Sequence, residues 1–367
     1  MRVLCVDLER EWRGGQNQAL LLLKDLHARG HAAELLALEN SPLAERARGC
    51  GVTVHTVPAR HSTLRAFFLL RRIFAQGVPE IVHANEPQAL TAAWLAKAHR
   101  RTSLVISRRV GYPLSRFWLA KARYRAARRI IANSQWVAGK VAACGIPPLQ
   151  IAVIHEGAEI PPPPSAEQRR QARARWGLAA GIPLLGCAGV FLADKGQEWL
   201  IRALAALRPE FPQMRLLLAG DGPLRGQLEA LARELGVADA VLFPGFVKDV
   251  ENVYAAVDVY LLPSFFEALN NSLLAAMACE APCIAFAKGA LPEIIEHESS
   301  GLLVSGPDVA EIREAVARLL RDPALAGKLG RAGRARVQQN FSADAMVEKT
   351  LWLYRVIRGT AGDARPV

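Results

Sequence analysis

Short apolar runs alternate with longer stretches of helical period along the whole chain. In the first half the runs are Val3–Val6, Ala33–Leu38, Val52–Val57, Ile81–His83, Leu104–Ser107 and Arg129–Ala132. Continuous apolar runs of this length, bounded by polar residues, are the signature of strands buried on both faces of a parallel sheet. Between the first two, Gln16–Arg29 keeps its apolar residues on one face and stops at Gly30, which predicts an amphipathic helix. The second half repeats the pattern with Leu184–Ala188, Arg215–Ala219, Ala240–Phe243, Val257–Leu262, Pro282–Ala285 and Gly301–Val304, followed by long helical stretches at Ala310–Arg321 and Ala343–Arg358. Strand–helix alternation of this kind predicts an α/β architecture with two Rossmann-like, doubly wound domains. The run Pro161–Pro164 is a stiff break. It suggests an N-terminal domain over 1–160, a linker over 161–174 and a C-terminal domain over 175–342. Doubly wound sheets bind ligands at the carboxyl ends of their strands, so two such domains facing each other predict a cleft.

Composition narrows the class. With 51% hydrophobic and 22% charged residues the chain is globular rather than disordered. No apolar run reaches the roughly 18 residues that a membrane span needs. The N-terminus enters a short strand at once, so no signal peptide is expected. Six cysteines without a CxxC pair read as reduced thiols of a cytoplasmic protein. Cys279 and Cys283 lack the neighbouring partners that a zinc site requires, and no metal is expected.

Charge is unevenly placed. Residues 1–160 carry 23 basic against 11 acidic side chains, which accounts for the whole net charge of +12. That asymmetry points to an anionic partner for the first domain. Two segments concentrate it: Arg60–Phe74 and Arg116–Arg129, both mixing Arg with Phe, Trp, Tyr or Leu at helical spacing. Basic-aromatic helices suit an anionic membrane surface, although the same pattern also describes an ordinary surface helix with its apolar face in the core. No nucleic-acid-binding motif accompanies the charge.

Several loops are suited to an anionic or polyhydroxylated ligand. Gly14-Gly15 lies between the first strand and its helix, where two glycines let a phosphate approach the backbone, or simply make a turn. It is not a GxGxxG fingerprint, which argues against a dinucleotide-dependent dehydrogenase. In the second half Gly189 ends a strand, and Lys195-Gly196 precede a helix. A lysine there is either a solvated charge or a partner for an anion. Gly220-Asp221-Gly222-Pro223, Pro244-Gly245-Phe246 and Lys288-Gly289 also follow strands. The stretch Glu267-Ala268-Leu269-Asn270-Asn271-Ser272 leads into a helix, and its Asn and Ser residues suit either hydroxyl and phosphate binding or N-capping.

Taken in order, these pieces resemble the family 4 glycosyltransferases, which have the two-domain GT-B fold. The resemblance also includes Ile131-Ala132-Asn133-Ser134, Gly145-Ile146-Pro147, Pro292-Glu293 and Gly301–Val304, and spans nearly the whole chain. It implies a retaining, metal-independent transfer from a nucleotide-diphosphate sugar, with no cofactor. The donor is expected in the C-terminal domain and the acceptor in the N-terminal one, and the helix of 343–360 should pack back on the N-terminal domain. By family position Lys195 would meet the departing diphosphate, with N–H groups of Gly14 and Gly15, and Glu267 would engage the donor sugar as the first residue of a Glu-x7-Glu motif. Gly189, Leu269, Asn270 and Asn271 would line the donor, and Phe246 would frame its base. His83, Arg108 and Arg109 would face the acceptor, with Arg109 also counted as catalytic; His83 can equally be an internally bonded strand-end histidine. A basic first domain suits a saccharide or lipid-linked acceptor in cell-envelope glycan assembly at the inner membrane face.

Three positions depart from the family pattern. Ala275 stands where the second Glu should be, Val190 where a second cation is usual, and Arg109 near the place of a histidine. These departures read two ways: a rebuilt site in which Arg108 and Arg109 supply the positive charge, favoured because Gly14, Gly15, Lys195 and Glu267 remain, or weakened donor binding in a nucleotide-sugar-binding subunit with little or no activity. A GT-B epimerase is a further alternative, against which the lack of paired catalytic carboxylates at identifiable spacing argues.

Overall fold

The computed structural model describes residues 1–114, 118–179 and 181–360. The chain forms two units, one of Met1–Gly157 with the chain from Ala343 on, the other of Ala158–Ser342.

The first unit is built on a seven-stranded, wholly parallel sheet. Its strands are β1 (Arg2–Val6), β2 (Ala32–Leu38), β3 (Thr53–Val57), β4 (Ile81–Ala84), β5 (Ser103–Arg108), β6 (Arg129–Ala132) and β7 (Ile151–Val153), in the order β3-β2-β1-β4-β5-β6-β7. Period-two alternation sends Val3 and Cys5 of β1, with Leu35 of β2 and Val105 of β5, into one apolar layer. That layer is closed by the helices Gly14–Ala28, Pro42–Gly49 and Ala343–Ile357. The last of these is the expected return helix, buried along Val347, Leu351 and Tyr354. The helices Ser62–Gln76, Pro87–Leu95 and Trp118–Ala126 pack on one another in turn.

The second unit carries a six-stranded parallel sheet of β8 (Leu184–Ala188), β9 (Arg215–Ala219), β10 (Val241–Gly245), β11 (Val259–Leu262), β12 (Cys283–Phe286) and β13 (Leu302–Val304), ordered β10-β9-β8-β11-β12-β13. In both sheets the order reverses next to the first strand of the unit, at β1/β4 and at β8/β11, the switch points where ligands of such sheets bind.

The domain limits read from the sequence need correction. The change of unit falls at Gly157/Ala158, and the expected linker of 161–174 is mostly helix. Ser165 and Gln168 form a capping box at its start, and Ala166–Ala174 packs on Glu251–Ala256. Arg173 donates to Ala256 O at 3.0 Å and to Asp258 Oδ2 at 3.1 Å, fixing this helix to the second sheet. The proline run Pro161–Pro164 lies within the second unit.

Candidate functional site

In the second unit the groups converge at the carboxyl ends of β8 and β11. After β8 the chain runs through Gly189 and Val190 to a single turn at Ala193–Lys195, and Gly196 starts the helix Gln197–Leu207. Gly196 has φ +66°, and a Cβ there would lie 2.3 Å from Pro263 O, so only glycine admits the close approach of the two loops. Phe265 N donates to Asp194 O at 2.8 Å and completes the junction. The result places Lys195 Nζ 2.9 Å from Glu267 Oε1 and 3.7 Å from Asp194 Oδ2. Burial alone would depress the ammonium's pKa, but Glu267 and Asp194 outweigh it and the pKa is raised, so Lys195 stays charged. The Glu267 backbone is itself clamped: its carbonyl accepts from Ala290 N at 2.9 Å, and Gly289, at φ +59°, sits so close that a Cβ would lie 2.5 Å from that oxygen.

The other positions expected to line a donor differ in their surroundings. Gly189 is exposed, and the turn after β9 closes on it through Gly220, whose φ of +142° brings the backbones into contact. Leu269 is buried in the core. The Asn270 side-chain oxygen accepts from Leu273 N at 2.8 Å, so it acts as the cap of Asn271–Ala278, while Asn271 is exposed. Ser272 turns inward, to the hydroxyls of Tyr254 (3.0 Å) and Tyr260, and the capping alternative therefore describes Asn270 better than a direct sugar contact through its oxygen. Phe246, 85% exposed, and Val190, 52% exposed, stand out from the surface. Ala275 is half-buried and packs on the core, where it holds no polar atom for a ligand.

In the first unit the polar groups gather at the carboxyl ends of β1, β4, β5, β6 and β7. Asp7, Asn85, Arg109 and Asn133 each follow the last residue of a strand, and Glu156 lies in the loop after β7. Arg109 Nη1 donates to Asn85 Oδ1 at 2.7 Å and Asn85 O at 3.1 Å, and Arg109 Nε lies 3.2 Å from Glu156 Oε1. Burial lowers the Arg109 pKa, against the pull of Glu156 and Asp7. Gly14 and Gly15 are the first two residues of their helix rather than a preceding loop. No side chain caps them, and a Cβ on Gly15 would lie 3.7 Å from Arg109 Cδ. A cavity of about 30 Å³ is lined by Arg109, Glu156, Asn133, Asn85 and Gln18, among others.

Two acceptor-side expectations are corrected. His83 is 4% exposed, with Nδ1 2.6 Å from the Tyr354 hydroxyl and Nε2 2.8 Å from Ser107 Oγ. Burial pushes its pKa down to about 3, so it is a neutral internal histidine that ties the return helix to β4, with neither nitrogen left for an acceptor. Arg108 is likewise buried, donating to Tyr112 O and lying 3.5 Å from Tyr124 Oη; it braces the loop after β5. Arg108 and Arg109 are neighbours in sequence, but strand alternation sends them to different surroundings. Asp7, Asn85 and Glu156 are not among the site candidates read from the sequence, and Asn133 enters there only through the Ile131–Ser134 motif. Their position just beyond strand ends was the available signal.

Comparison with known proteins gives a consistent picture. A model described as Glycosyltransferase Family 4 matches residues 12–160, and one described as Glycosyl transferases group 1 matches residues 182–322. A GDP-mannose-dependent alpha-(1-6)-phosphatidylinositol monomannoside mannosyltransferase of Mycolicibacterium smegmatis is 35% identical over 187 residues, 48% of this chain and 49% of that protein. The chain thus spans about half the length of this relative. The 2-deoxystreptamine glucosyltransferase of Streptomyces kanamyceticus is 29% identical over 97% of this chain and 81% of its own length. Among solved structures, a glycosyltransferase from Rickettsia africae superposes with a TM-score of 0.87 at 18% identity, covering 98% of this chain and 99% of that one. Anabaena HepE in complex with UDP and glucose gives 0.79 at 21%, over 96% and 98% of the two chains. At these identities the structural matches establish the fold.

Proposed function

Because this chain belongs to the family 4 glycosyltransferases and has their GT-B fold, we propose that it moves a sugar, with retention of configuration, from a nucleoside-diphosphate sugar to a saccharide or lipid-linked acceptor. The observation that carries this reading is the Lys195–Glu267 pair, 2.9 Å apart at the β8/β11 switch point. As the glycosidic bond breaks, the diphosphate gathers negative charge, and a fixed ammonium at that point stabilises it more than it stabilises the bound donor. Glu267, held by the backbone clamp of Gly289 and Ala290, offers carboxylate oxygens to donor-sugar hydroxyls. The exposed first residue of the helix Asn271–Ala278 and the face of Phe246 complete the donor side, while the Gly189 N–H is held by Ala219 O at 2.9 Å. On this reading Lys195 and backbone N–H groups meet the leaving-group charge without a metal ion.

The first unit takes the acceptor through Arg109, and its basic surface favours an anionic one. The helix Ser62–Gln76 presents Leu64 and Phe68, 53% and 60% exposed, among Arg65, Arg71 and Arg72, and Trp118 stands out from a second helix of that layer. This composition supports attachment to an anionic membrane surface and a lipid-linked acceptor in cell-envelope glycan assembly, on the cytoplasmic side. Arg116 and Phe117 of the second basic segment lie outside the described residues. No helix among the described residues is long and apolar enough to cross a membrane. A relative's dependence on GDP-mannose makes GDP-sugars the first donors to try.

Calorimetric titration with UDP-, GDP- and ADP-sugars tests the donor assignment. Binding by one of them, with turnover lowered at least about tenfold in Lys195→Ala and in Glu267→Ala at little cost in thermal midpoint, is the expected result. Saturable binding with no transfer to any acceptor favours the non-catalytic subunit to which Ala275 and Val190 point. If none of these sugars binds, the transferase reading fails.

A further inference from the structure

One side-chain network in the first unit is more elaborate than core packing needs. Asp7 is 1% exposed, and among the described residues no cation forms an ion pair with its carboxylate. Its donors are Gln16 Nε2 at 2.9 Å, Asn85 Nδ2 at 2.5 Å and Glu9 N at 3.0 Å. A carboxylate only accepts, so the amide edge that faces it must be the NH₂ group. Asn85 Nδ2 also donates to Gly15 O at 3.1 Å, which fixes the same orientation independently. The Asn85 oxygen is thereby turned toward Arg109, where it accepts from Nη1. Glu156 holds the Nε side of the guanidinium, and Asn133 Nδ2 donates to the same Glu156 oxygen at 3.3 Å. Among the described residues Arg109 Nη2 makes no hydrogen bond. Four of the five residues hold the fifth in one orientation and leave one of its edges unused.

We propose that Asp7 and Asn85 are positioning residues: Asp7 orients the Asn85 amide, and Asn85 with Glu156 locks the Arg109 guanidinium so that its Nη2 edge receives a phosphate or carboxylate group of the ligand taken by the first unit. The identification of that ligand as the acceptor rests on the function proposed above; the locking itself does not. Arginine is suited to the task because its planar fork holds two neighbours and still offers a third edge, and lysine has no such geometry. Preference for an anionic group follows, since Glu156 meets only the Nε side of the guanidinium and a charge-assisted hydrogen bond to Nη2 is stronger than one to a neutral hydroxyl. A phosphorylated headgroup and a carboxylated sugar share this chemistry.

The test is a titration of the full-length chain with inorganic phosphate, followed by NMR on the Arg109 Nε–H resonance, which is identified by its loss in Arg109→Gln. Acetate serves as the carboxylate probe. A saturable shift of that resonance is expected in the unaltered chain. Asn85→Ala weakens phosphate binding about tenfold, and Arg109→Gln, measured by calorimetry, does the same. The double variant is no weaker than Arg109→Gln alone, because Asn85 acts through Arg109. Asn85→Asp sets two carboxylates against each other and weakens binding. Adding Asp7→Asn restores a donor opposite an acceptor and recovers the affinity, which also covers the case in which Asn85→Ala fails to fold. The proposal is overturned by an Arg109 resonance that does not respond to either anion. It is equally overturned if Asn85→Ala costs as much again in the Arg109→Gln background, or if the double swap recovers thermal stability without recovering phosphate affinity. Nucleotide-sugar binding is scored separately: its failure removes the transferase reading and leaves the phosphate result to judge the network.

Discussion

At the scale of single residues, burial and partner decide what each ionisable group does. Lys195 remains a cation because two carboxylates outweigh its desolvation, while His83 remains neutral because nothing does. Glu86 shows the same competition: burial pushes it up to about 7 even though it accepts from the backbone N–H groups of Leu8, Gln88 and Ala89. Glu34 is the opposite case. His55 first, and Arg2 as well, pull its pKa down from 4.5 to about 2. A carboxylate whose folded pKa is depressed stabilises the fold above its unfolded value of 4.5 and loses that contribution as the pH falls toward 2. Glu34→Gln should therefore flatten this part of the acid limb. Urea unfolding midpoints should drop by the equivalent of about 1–2 kcal/mol at pH 6, after discounting for solvent screening, and by little at pH 2.

At the scale of elements, the reading was most accurate where local pattern and tertiary burial agree. The strand runs fall within a few residues of their expected limits because each is an apolar stretch bounded by polar residues, and the return helix does because its apolar residues recur at helical spacing. The helix Pro323–Asn340 was not anticipated. Its glycines at 327, 330 and 333 argue against a helix locally, yet a Cβ at 330 would lie 2.2 Å from Glu280 O, so the close packing needs glycine there. The helix Ala166–Ala174 falls in the stretch that the proline run marks as linker, and little in its polar composition signals packing: a single residue, Ala172, is buried, and Arg173 supplies much of the attachment. The return helix carries a testable link of its own. Tyr354→Phe removes the hydroxyl that meets His83, leaving a buried ring nitrogen without its partner. A loss of about 1–3 kcal/mol in chemical denaturation is expected, with a larger loss of protection for amide hydrogens of 343–357 than for those of the second unit.

At the scale of the whole molecule, charge and chemistry are divided between the units. The excess of basic side chains belongs to residues 1–160, whereas the lysine–glutamate pair belongs to the second unit. Reversing Arg65, Arg71 and Arg72 to Glu should lower partitioning onto anionic vesicles at least about tenfold while leaving nucleotide-sugar binding intact, since each basic residue near such a surface contributes about 1 kcal/mol. Sedimentation with phosphatidylglycerol vesicles measures it, and unchanged partitioning rejects the membrane assignment. The amino-acid sequence by itself determined the α/β class, the two sheets and the family resemblance, because strand patterning, loop glycines and motif spacing act over a few residues; it singled out Lys195 and Glu267 separately, and only the fold brings them to 2.9 Å. It also determined what is missing, at Ala275 and Val190. Only the tertiary structure decided that His83 and Arg108 are internal, that Asn270 is a cap, and that Asp7, Asn85 and Glu156 surround Arg109. Those roles depend on which way a side chain leaves its strand and on contacts between residues such as Asp7 and Asn85, 78 positions apart, and neither is written in any local pattern.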